Sequence, residues 1–232
     1  MTRVLVPVEV LEGNTVSPGL MTLLGTVDVT VLGYHVLPEQ TPPDQARMQY
    51  GERANSALED LSQEFRTAGG AADYRLVFTH DREQTIGRIA EEVDARAFAI
   101  SGMTGNVDRL LVSLSGDVAV DRILTFVEEL VGGRDISVTL FLATSTEPTG
   151  ADRLDTAAER LGEAGIDVRT ERAVGGSPFD ALIETAPNHD AIVMGENAPS
   201  FRSLVFGEET DRVAAASVGP VLVVRYDEAL DG

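Results

Sequence analysis

The feature that most constrains the fold is a regular alternation of short apolar runs with amphipathic stretches. The predicted strands are Val4–Val8, Val27–Val36, Tyr74–Thr79, Ala97–Ser101, Leu110–Leu114, Ile136–Ala143, Asp167–Glu171, Ala191–Met194 and Val221–Arg225. Several of these runs are apolar without alternation, which is typical of parallel strands that are covered on both faces. Strands that alternate with helices predict an α/β fold with right-handed crossovers.

The segments between the runs carry helix start and stop signals. The predicted helices run from Arg53 toward Gly69, over Thr85–Val93, Val118–Leu130 and Asp152–Ala164, from Ser177-Pro178, and over Glu208–Ser217. Ser177-Pro178 is a cap residue followed by a proline at the first helical position. The stretch Gln40–Asp44 contains Pro-Pro and is predicted to begin an insertion before the Arg53 helix. It could cover a cleft, contact a partner or only connect two elements.

The order of the elements repeats along the chain. Arg3–Glu9 resembles Arg109–Ser115, and Phe98–Gly102 resembles Ala191–Gly195 in the same order. Matches that keep their order over such a period indicate an internal duplication. We therefore predict a first unit over residues 1–106 and a second over residues 107–232. The first unit lacks the last helix and strand, so we expect four parallel strands in it and five in the second.

The charge of the chain is strongly negative. There are 38 acidic and 18 basic residues, the net charge is −20, and every basic residue is an arginine. The acids are spread over the predicted helices, which favours adaptation to molar salt over a single patch for a basic partner. At 1 M salt the Debye length is about 3 Å, so that self-repulsion is screened. Nucleic acid is not expected as a partner, because phosphate backbones require basic surfaces.

Several classes of site and location are not expected from the sequence. The chain has no cysteine, which excludes disulfides and thiolate chemistry. Without lysine there is no Walker-type loop, and His35, His80 and His189 are too widely spaced to predict a metal site. No catalytic set is evident, so an enzyme is not expected. No apolar run is long enough to span a bilayer and the start reads as a strand, so we expect a cytoplasmic protein.

Three motifs together resemble the universal stress protein family. They are Val4–Val8 at the first strand, the strand–loop–helix segment from Gly195 to Gly207, and the ending Val218–Arg225. The resemblance covers the chain as two units, so the chain looks like a tandem universal stress protein of haloarchaeal type. It implies two flavodoxin-like parallel sheets with strand order 3-2-1-4(-5), the first of them truncated. It also implies dimer contacts through the last strand and, in some members, ATP binding.

The nucleotide-binding members of that family carry spaced glycines between a strand and a helix, and then Gly-Ser or Gly-Thr where the helix begins. Gly195 matches the first of these glycines and Gly207 the last. Ala198 replaces the second glycine, and Glu208 replaces the serine or threonine. Ser115 stands where those members carry an aspartate at the end of a first strand. The resemblance therefore implies a degenerate nucleotide loop in the second unit.

Phosphate chemistry leaves three interpretations of this loop open. Unpaired backbone N–H groups at a helix start bind phosphate, and Arg202 can pair with it. Glu208 would repel phosphate and itself interacts favourably with the helix dipole, by about 0.3–1 kcal/mol. We interpret the loop first as a plain connection, with weak binding of ATP or another adenine nucleotide, or of another small anion, as alternatives. The candidate binding residues are Gly195, Ala198, Ser200, Arg202, Ser203, Gly207, Glu208 and Ser115.

The chain keeps the predicted fold of the family, but its nucleotide loop is degenerate. This combination predicts a non-enzymatic stress-response or regulatory protein that acts through dimerisation and partner binding. The alternatives are an adenine-nucleotide sensor and a soluble regulatory partner of a membrane transporter. A last strand with an apolar edge tends to be paired or covered. We therefore expect a homodimer that forms through Val221, Leu222, Val223 and Val224.

Overall fold

The computed structural model describes residues 2–12, 15–100, 102, 104–144, 150–198 and 219–226. The chain divides into two compact units, Met1–Ser101 and Gly102–Gly232. Each unit is an α/β structure with its own set of strands and helices. Among the described residues, no helix is long and apolar enough to cross a membrane.

The first unit contains a parallel sheet in which β1 is a central strand. Its elements are β1 (Arg3–Glu9), α1 (Pro18–Leu23), β2 (Asp28–Val36), α2 (Pro43–Thr67), β3 (Ala71–Thr79), α3 (Arg82–Glu92) and β4 (Ala97–Ile100). The strand order is β3-β2-β1-β4, and each of these pairings is parallel. The side chains of Val4, Leu5 and Val6 are fully buried, as expected for a strand covered on both faces.

The second unit repeats this arrangement and adds a strand. Its elements are β5 (Arg109–Ser113), α4 (Val120–Val131), β6 (Ser137–Thr144), α5 (Ala151–Glu163), β7 (Val168–Val174), α6 (Pro178–Thr185), β8 (Ala191–Gly195) and β9 (Val221–Val224). The strand order is β7-β6-β5-β8-β9 with parallel pairings throughout. This is the order 3-2-1-4-5, and the first unit shows 3-2-1-4, so the predicted α/β, flavodoxin-like fold class is confirmed.

Two helices differ from the sequence predictions. The prediction that Gln40–Asp44 begins an insertion before a helix at Arg53 is wrong, because α2 already begins at Pro43. A proline fits the first helical turn, where its missing N–H has no partner to lose, and Asp44 interacts favourably with the helix dipole there. Helix α1 is absent from the sequence predictions. Ser17 caps it by accepting a hydrogen bond from the N–H of Leu20, and Pro18 follows the cap.

Because α2 begins at Pro43, it covers the carboxyl ends of β2 and β3 in the first unit. Its first turns pack on a small apolar cluster at the carboxyl ends of β2 and β3. The cluster consists of Leu37, Ala46 and Phe78, with Leu11, Tyr50 and Leu76 packed against it. The segment predicted to be an insertion therefore leads into a helix that covers these strand ends.

Candidate functional site

The predicted site in the second unit begins where β8 ends. Gly195 is the last residue of β8, and the N–H of Ala198 donates to the carbonyl oxygen of Gly195 at 3.0 Å, which closes a turn. The N–H of Glu196 donates to the carbonyl oxygen of Val224 at 2.9 Å and so extends the pairing with β9. A phosphate cradle depends on N–H groups that point at the ligand and lack other partners. The amides of Glu196 and Ala198 are already used within the protein.

The space beside Gly195 is filled by two apolar side chains. A β carbon placed at Gly195 would lie 3.0 Å from Cγ1 of Val118 and 3.4 Å from Cδ1 of Ile123. The cavity that these residues line together with Glu196 and Arg225 has a volume of about 10 Å³. Such a volume holds one water molecule at most, whereas small-molecule pockets typically measure about 300–1,000 Å³. The described part of the site has no room for a nucleotide in this conformation.

An additional carboxylate lies at the same strand end. Oε2 of Glu196 accepts a hydrogen bond from the N–H of Tyr226 at 3.2 Å, which ties the loop after β8 to the segment after β9. A phosphate brought to Gly195 would meet this negative charge, and like charges at short range repel even in salt. The sequence interpretation considered Glu208 and not Glu196, although Glu196 directly follows the strand.

Ser115 lies at the same edge of the sheet, and its hydroxyl oxygen accepts hydrogen bonds within the protein. The residue is only 1% exposed. Its Oγ accepts a hydrogen bond from the N–H of Ala143 at 2.8 Å and another from Oγ of Ser113 at 3.3 Å. The hydroxyl therefore links the end of β5 to β6. A contact between Ser115 and a nucleotide stays a prediction.

An arginine that sequence reasoning missed holds the loop between β5 and α4. Nη1 of Arg153, on α5, donates to the carbonyl oxygens of Leu114 and Gly116 at 3.0 and 2.8 Å. Both carbonyls follow the strand, and a carbonyl left without a partner near the protein interior is costly. Arg153 thereby fixes the backbone on either side of Ser115.

The remaining candidates lie outside the described residues. They are Ser200, Arg202, Ser203, Gly207 and Glu208, together with the predicted helix Glu208–Ser217. Of the predicted set, the structure brings together Gly195, Ala198 and Ser115 at the carboxyl edge of neighbouring strands. Ser113 is the register partner of Met194, so the two strand ends are level.

The comparisons with known proteins concern the segment that contains this edge and the fold as a whole. Residues 140–225 match the model of the Universal stress protein family. The matched segment extends from β6 to the residue after β9 and is less than half of the chain. The tandem and haloarchaeal character inferred from the sequence stays a prediction.

Solved structures with the universal stress protein fold resemble nearly the whole chain. A universal stress protein from Archaeoglobus fulgidus DSM 4304 is 20% identical, with a TM-score of 0.67 and 97% of each chain covered. A putative universal stress protein from Pseudomonas aeruginosa UCBPP-PA14 is 13% identical, with a TM-score of 0.53 over 97% of this chain and 93% of that one.

The cytoplasmic domain of a prokaryotic cation chloride cotransporter is 12% identical, with a TM-score of 0.51 over 96% of this chain and 94% of that one. At these identities the likeness shows a shared fold. No curated protein matches the sequence.

The corresponding strand ends of the first unit, which lies outside the matched universal stress protein segment, are packed with side chains. Oε1 of Glu9 lies 3.9 Å from Nδ1 of His35, at the ends of β1 and β2. The His35 ring makes edge contacts with Tyr50 and Phe78, at centroid distances of 6.3 and 6.4 Å. Glu9 is the last residue of β1, and α2 covers the ring of His35. Within the described ranges, no group of three or more His, Asp or Glu side chains is placed to hold a metal ion.

Proposed function

We propose that the chain is a universal-stress-type regulatory protein that acts without catalysis, through self-association and the binding of a partner protein. The fold and the family match of residues 140–225 support the class. The observation that carries the proposal is the filled space beside Gly195, where a β carbon would lie 3.0 Å from Val118 and the cavity measures about 10 Å³. A strand end whose described surroundings are filled by side chains is suited to structural and partner contacts.

The charge chemistry at the strand end supports the same proposal. Glu196 adds a carboxylate beside Gly195, and its amide and that of Ala198 have partners inside the protein. A nucleotide would have to displace these hydrogen bonds and approach a negative side chain. Each lost hydrogen bond costs about 0.5–1.5 kcal/mol, and the repulsion adds to that cost. Tight nucleotide binding therefore requires a rearrangement for which the described contacts offer no compensation.

Nucleotide addition is expected to leave the melting temperature unchanged. The measurement is thermal unfolding in about 1 M KCl or more, where the Debye length is about 3 Å or less, with and without millimolar ATP and magnesium, and again with ADP and AMP. A ligand at 100 times its dissociation constant stabilises the folded state by about 2.7 kcal/mol, which is readily detected. A clear upward shift for the parent protein would contradict the proposal and favour the alternative of an adenine-nucleotide sensor.

A matched variant shows whether Val118 is the obstacle. Val118→Ala removes Cγ1, the Val118 atom that lies closest to the β-carbon position of Gly195, and opens space at the strand end. A nucleotide-dependent shift in Val118→Ala alone would assign the exclusion to this side chain. Shifts in neither protein are expected if Glu196 and the paired amides also oppose binding.

The acidic surface is proposed to require salt. On α2 the acids Glu52, Glu59, Asp60 and Glu64 are exposed while Ala54, Leu58 and Phe65 are buried, so the charge lies on the solvent side. We expect the melting temperature to rise between about 0.1 and 1 M KCl, over which the Debye length falls from about 10 to 3 Å. A melting temperature that does not change with KCl would contradict adaptation to salt.

The nature of the partner stays a prediction. The cotransporter domain with a similar fold is 12% identical, which adds nothing to the alternative of a transporter-associated regulator beyond the fold. The homodimer through Val221–Val224 also stays a prediction. These four side chains are at most 5% exposed.

A further inference from the structure

In the second unit's sheet, strand β7 lies at the edge opposite to β9, and its side chains are largely exposed. Strand β7 is the terminal strand in the order of this unit, and among the described residues it pairs with β6 alone. Four consecutive residues, Arg169 to Arg172, are exposed. Since successive side chains point to opposite faces of a sheet, this strand is open on both faces as well as along its edge. It contains neither a proline nor a glycine that would interrupt pairing.

Successive residues of β7 direct their backbone groups to opposite sides of the strand. The carbonyl oxygen of Asp167 accepts from the N–H of Val138 at 2.8 Å, and the N–H of Gly175 donates to the carbonyl oxygen of Thr144 at 2.9 Å. The odd-numbered residues therefore direct their backbone groups toward β6. The N–H and C=O of Thr170 point outward, where a further strand can pair with them.

We propose that β7 is a docking surface for a second copy of this chain, and that the two β7 strands pair antiparallel about Thr170. In that register Thr170 faces Thr170 of the second copy, and both exchange backbone hydrogen bonds. Arg169 faces Glu171 of the second copy, and Glu171 faces its Arg169. Threonine pairs and pairs of opposite charge across strands are both favourable. The contact is isologous, so one strand supplies both halves of it.

The order of charges selects this register over its neighbours. Pairing about Arg169 would place two guanidinium groups opposite each other, and pairing about Glu171 would place two carboxylates opposite each other. An axis between two residues would set an outward-facing residue against an inward-facing one, and the backbone hydrogen bonds would not form. Among the registers centred on residues 169 to 171, only the one about Thr170 places both Arg169 and Glu171 opposite residues of opposite charge.

Charged residues on an edge strand often prevent pairing, but the carboxylates on β3 and β7 differ in the partners they already have. On β3, the terminal strand of the first unit, Oδ1 of Asp73 accepts from Oγ1 of Thr30 at 2.6 Å, and its other oxygen lies 3.9 Å from Nη1 of Arg75. On β7, Oε1 of Glu171 accepts a long hydrogen bond of 3.4 Å from Oγ1 of Thr185. The carboxylate on β3 is thus occupied within the chain, while that on β7 keeps capacity for an arginine from outside.

A groove beside β7 provides room for side chains of the second copy. It has a volume of about 370 Å³ and lies between α5 and β7, lined by Leu154, Asp155 and the stretch from Thr170 to Arg172. In an antiparallel pair the two-fold axis is perpendicular to the sheet, so the α5 helices of both copies lie on the same face. The groove then accommodates side chains that the second copy brings to this face.

Cysteine cross-linking tests the register directly, because the parent chain has no cysteine. In the proposed pair the two Cα atoms of residue 170 are about 5.5 Å apart, within the range for a disulfide. Those of residue 172 are about 13 Å apart along the strands. We expect Thr170→Cys to form covalent dimers on mild oxidation and the matched control Arg172→Cys, on the same strand and equally exposed, to form few. Equal yields from both variants would overturn the proposal.

Charge exchange provides a second, non-covalent test. The variants Arg169→Glu and Glu171→Arg each place like charges opposite each other twice, and we expect dimerisation on the order of tenfold weaker. The double variant restores opposite charges and should recover the dimer. Light scattering is performed at the lowest KCl concentration that preserves the far-UV circular dichroism spectrum, since salt screens these pairs. A monomeric parent, or single variants that dimerise like the parent, would overturn the proposal whatever the nucleotide experiment shows.

Discussion

The variant Gly219→Ala is expected to lower the melting temperature by about 10 °C, the equivalent of about 3 kcal/mol for a chain of this size. A β carbon at Gly219 would lie 1.9 Å from the carbonyl oxygen of Asp190 and 2.8 Å from its carbonyl carbon. Real β carbons do not approach backbone atoms so closely, and neither atom belongs to a flexible side chain. The start of β9 would have to move away from β8.

The displacement would break the pairing that begins there. The N–H of Ile192 donates to the carbonyl oxygen of Pro220 at 2.9 Å, directly after Gly219. Gly87→Ala on α3 is the matched control, because a β carbon at Gly87 has no neighbour within 4 Å. Alanine favours a helix by about 0.8–1 kcal/mol over glycine, so this variant should melt at or above the parent's temperature. A Gly219→Ala protein that melts with the parent would contradict the close approach of β8 and β9.

The strands were predictable because burial on both faces forces their composition. Val4–Val8 and Leu110–Leu114 consist largely of apolar residues, and only central strands of a parallel sheet need this pattern. Helix starts were less predictable, since Pro42-Pro43 is as compatible with a loop as with the first turn of α2. Ser17-Pro18 carries the same cap signal as Ser177-Pro178, but the helix after it is only six residues long. So short a helix has little periodicity to detect.

The sequence predicted where the candidate site lies in the fold, but not how side chains pack around it. Gly195 was expected at the end of a strand, and it is the last residue of β8. Its contact with Val118 joins residues that are distant in sequence, and no local pattern reports such packing. The same holds for Ser115, whose hydroxyl accepts from the N–H of Ala143 across two strands. Whether a strand end is open or filled depends on tertiary packing, which a single sequence does not display.

The variant Asp190→Asn is expected to destabilise the protein by about 1.5–3 kcal/mol at neutral pH, the usual range for hydrogen bonds to a charged group. Oδ2 of Asp190 accepts from the backbone N–H groups of Asp108 and Arg109 at 3.1 and 2.9 Å, and Oδ1 accepts from Nη2 of Arg109 at 3.2 Å. One carboxylate thus joins the start of β5 to the start of β8. An amide turns an NH₂ group toward one of these donors. Asp60→Asn, exposed on α2, is the control and should change little.

The pH dependence of this difference identifies the carboxylate as its cause. Partial burial raises the pKa of Asp190 by desolvation, but the hydrogen bonds from Arg109 and from the N–H groups of Asp108 and Arg109 outweigh it and hold the pKa below its ordinary value. A group whose pKa is lower in the folded state stabilises the fold above its unfolded pKa of about 3.9, and the contribution is lost as the pH falls through the folded pKa. The difference in the free energy of unfolding between the parent and Asp190→Asn should therefore be constant from about pH 5 to 8 and shrink below about pH 4. Urea unfolding at constant KCl measures this difference. If the difference persisted unchanged into acid, the lost stability would be due to packing and not to the charge of Asp190.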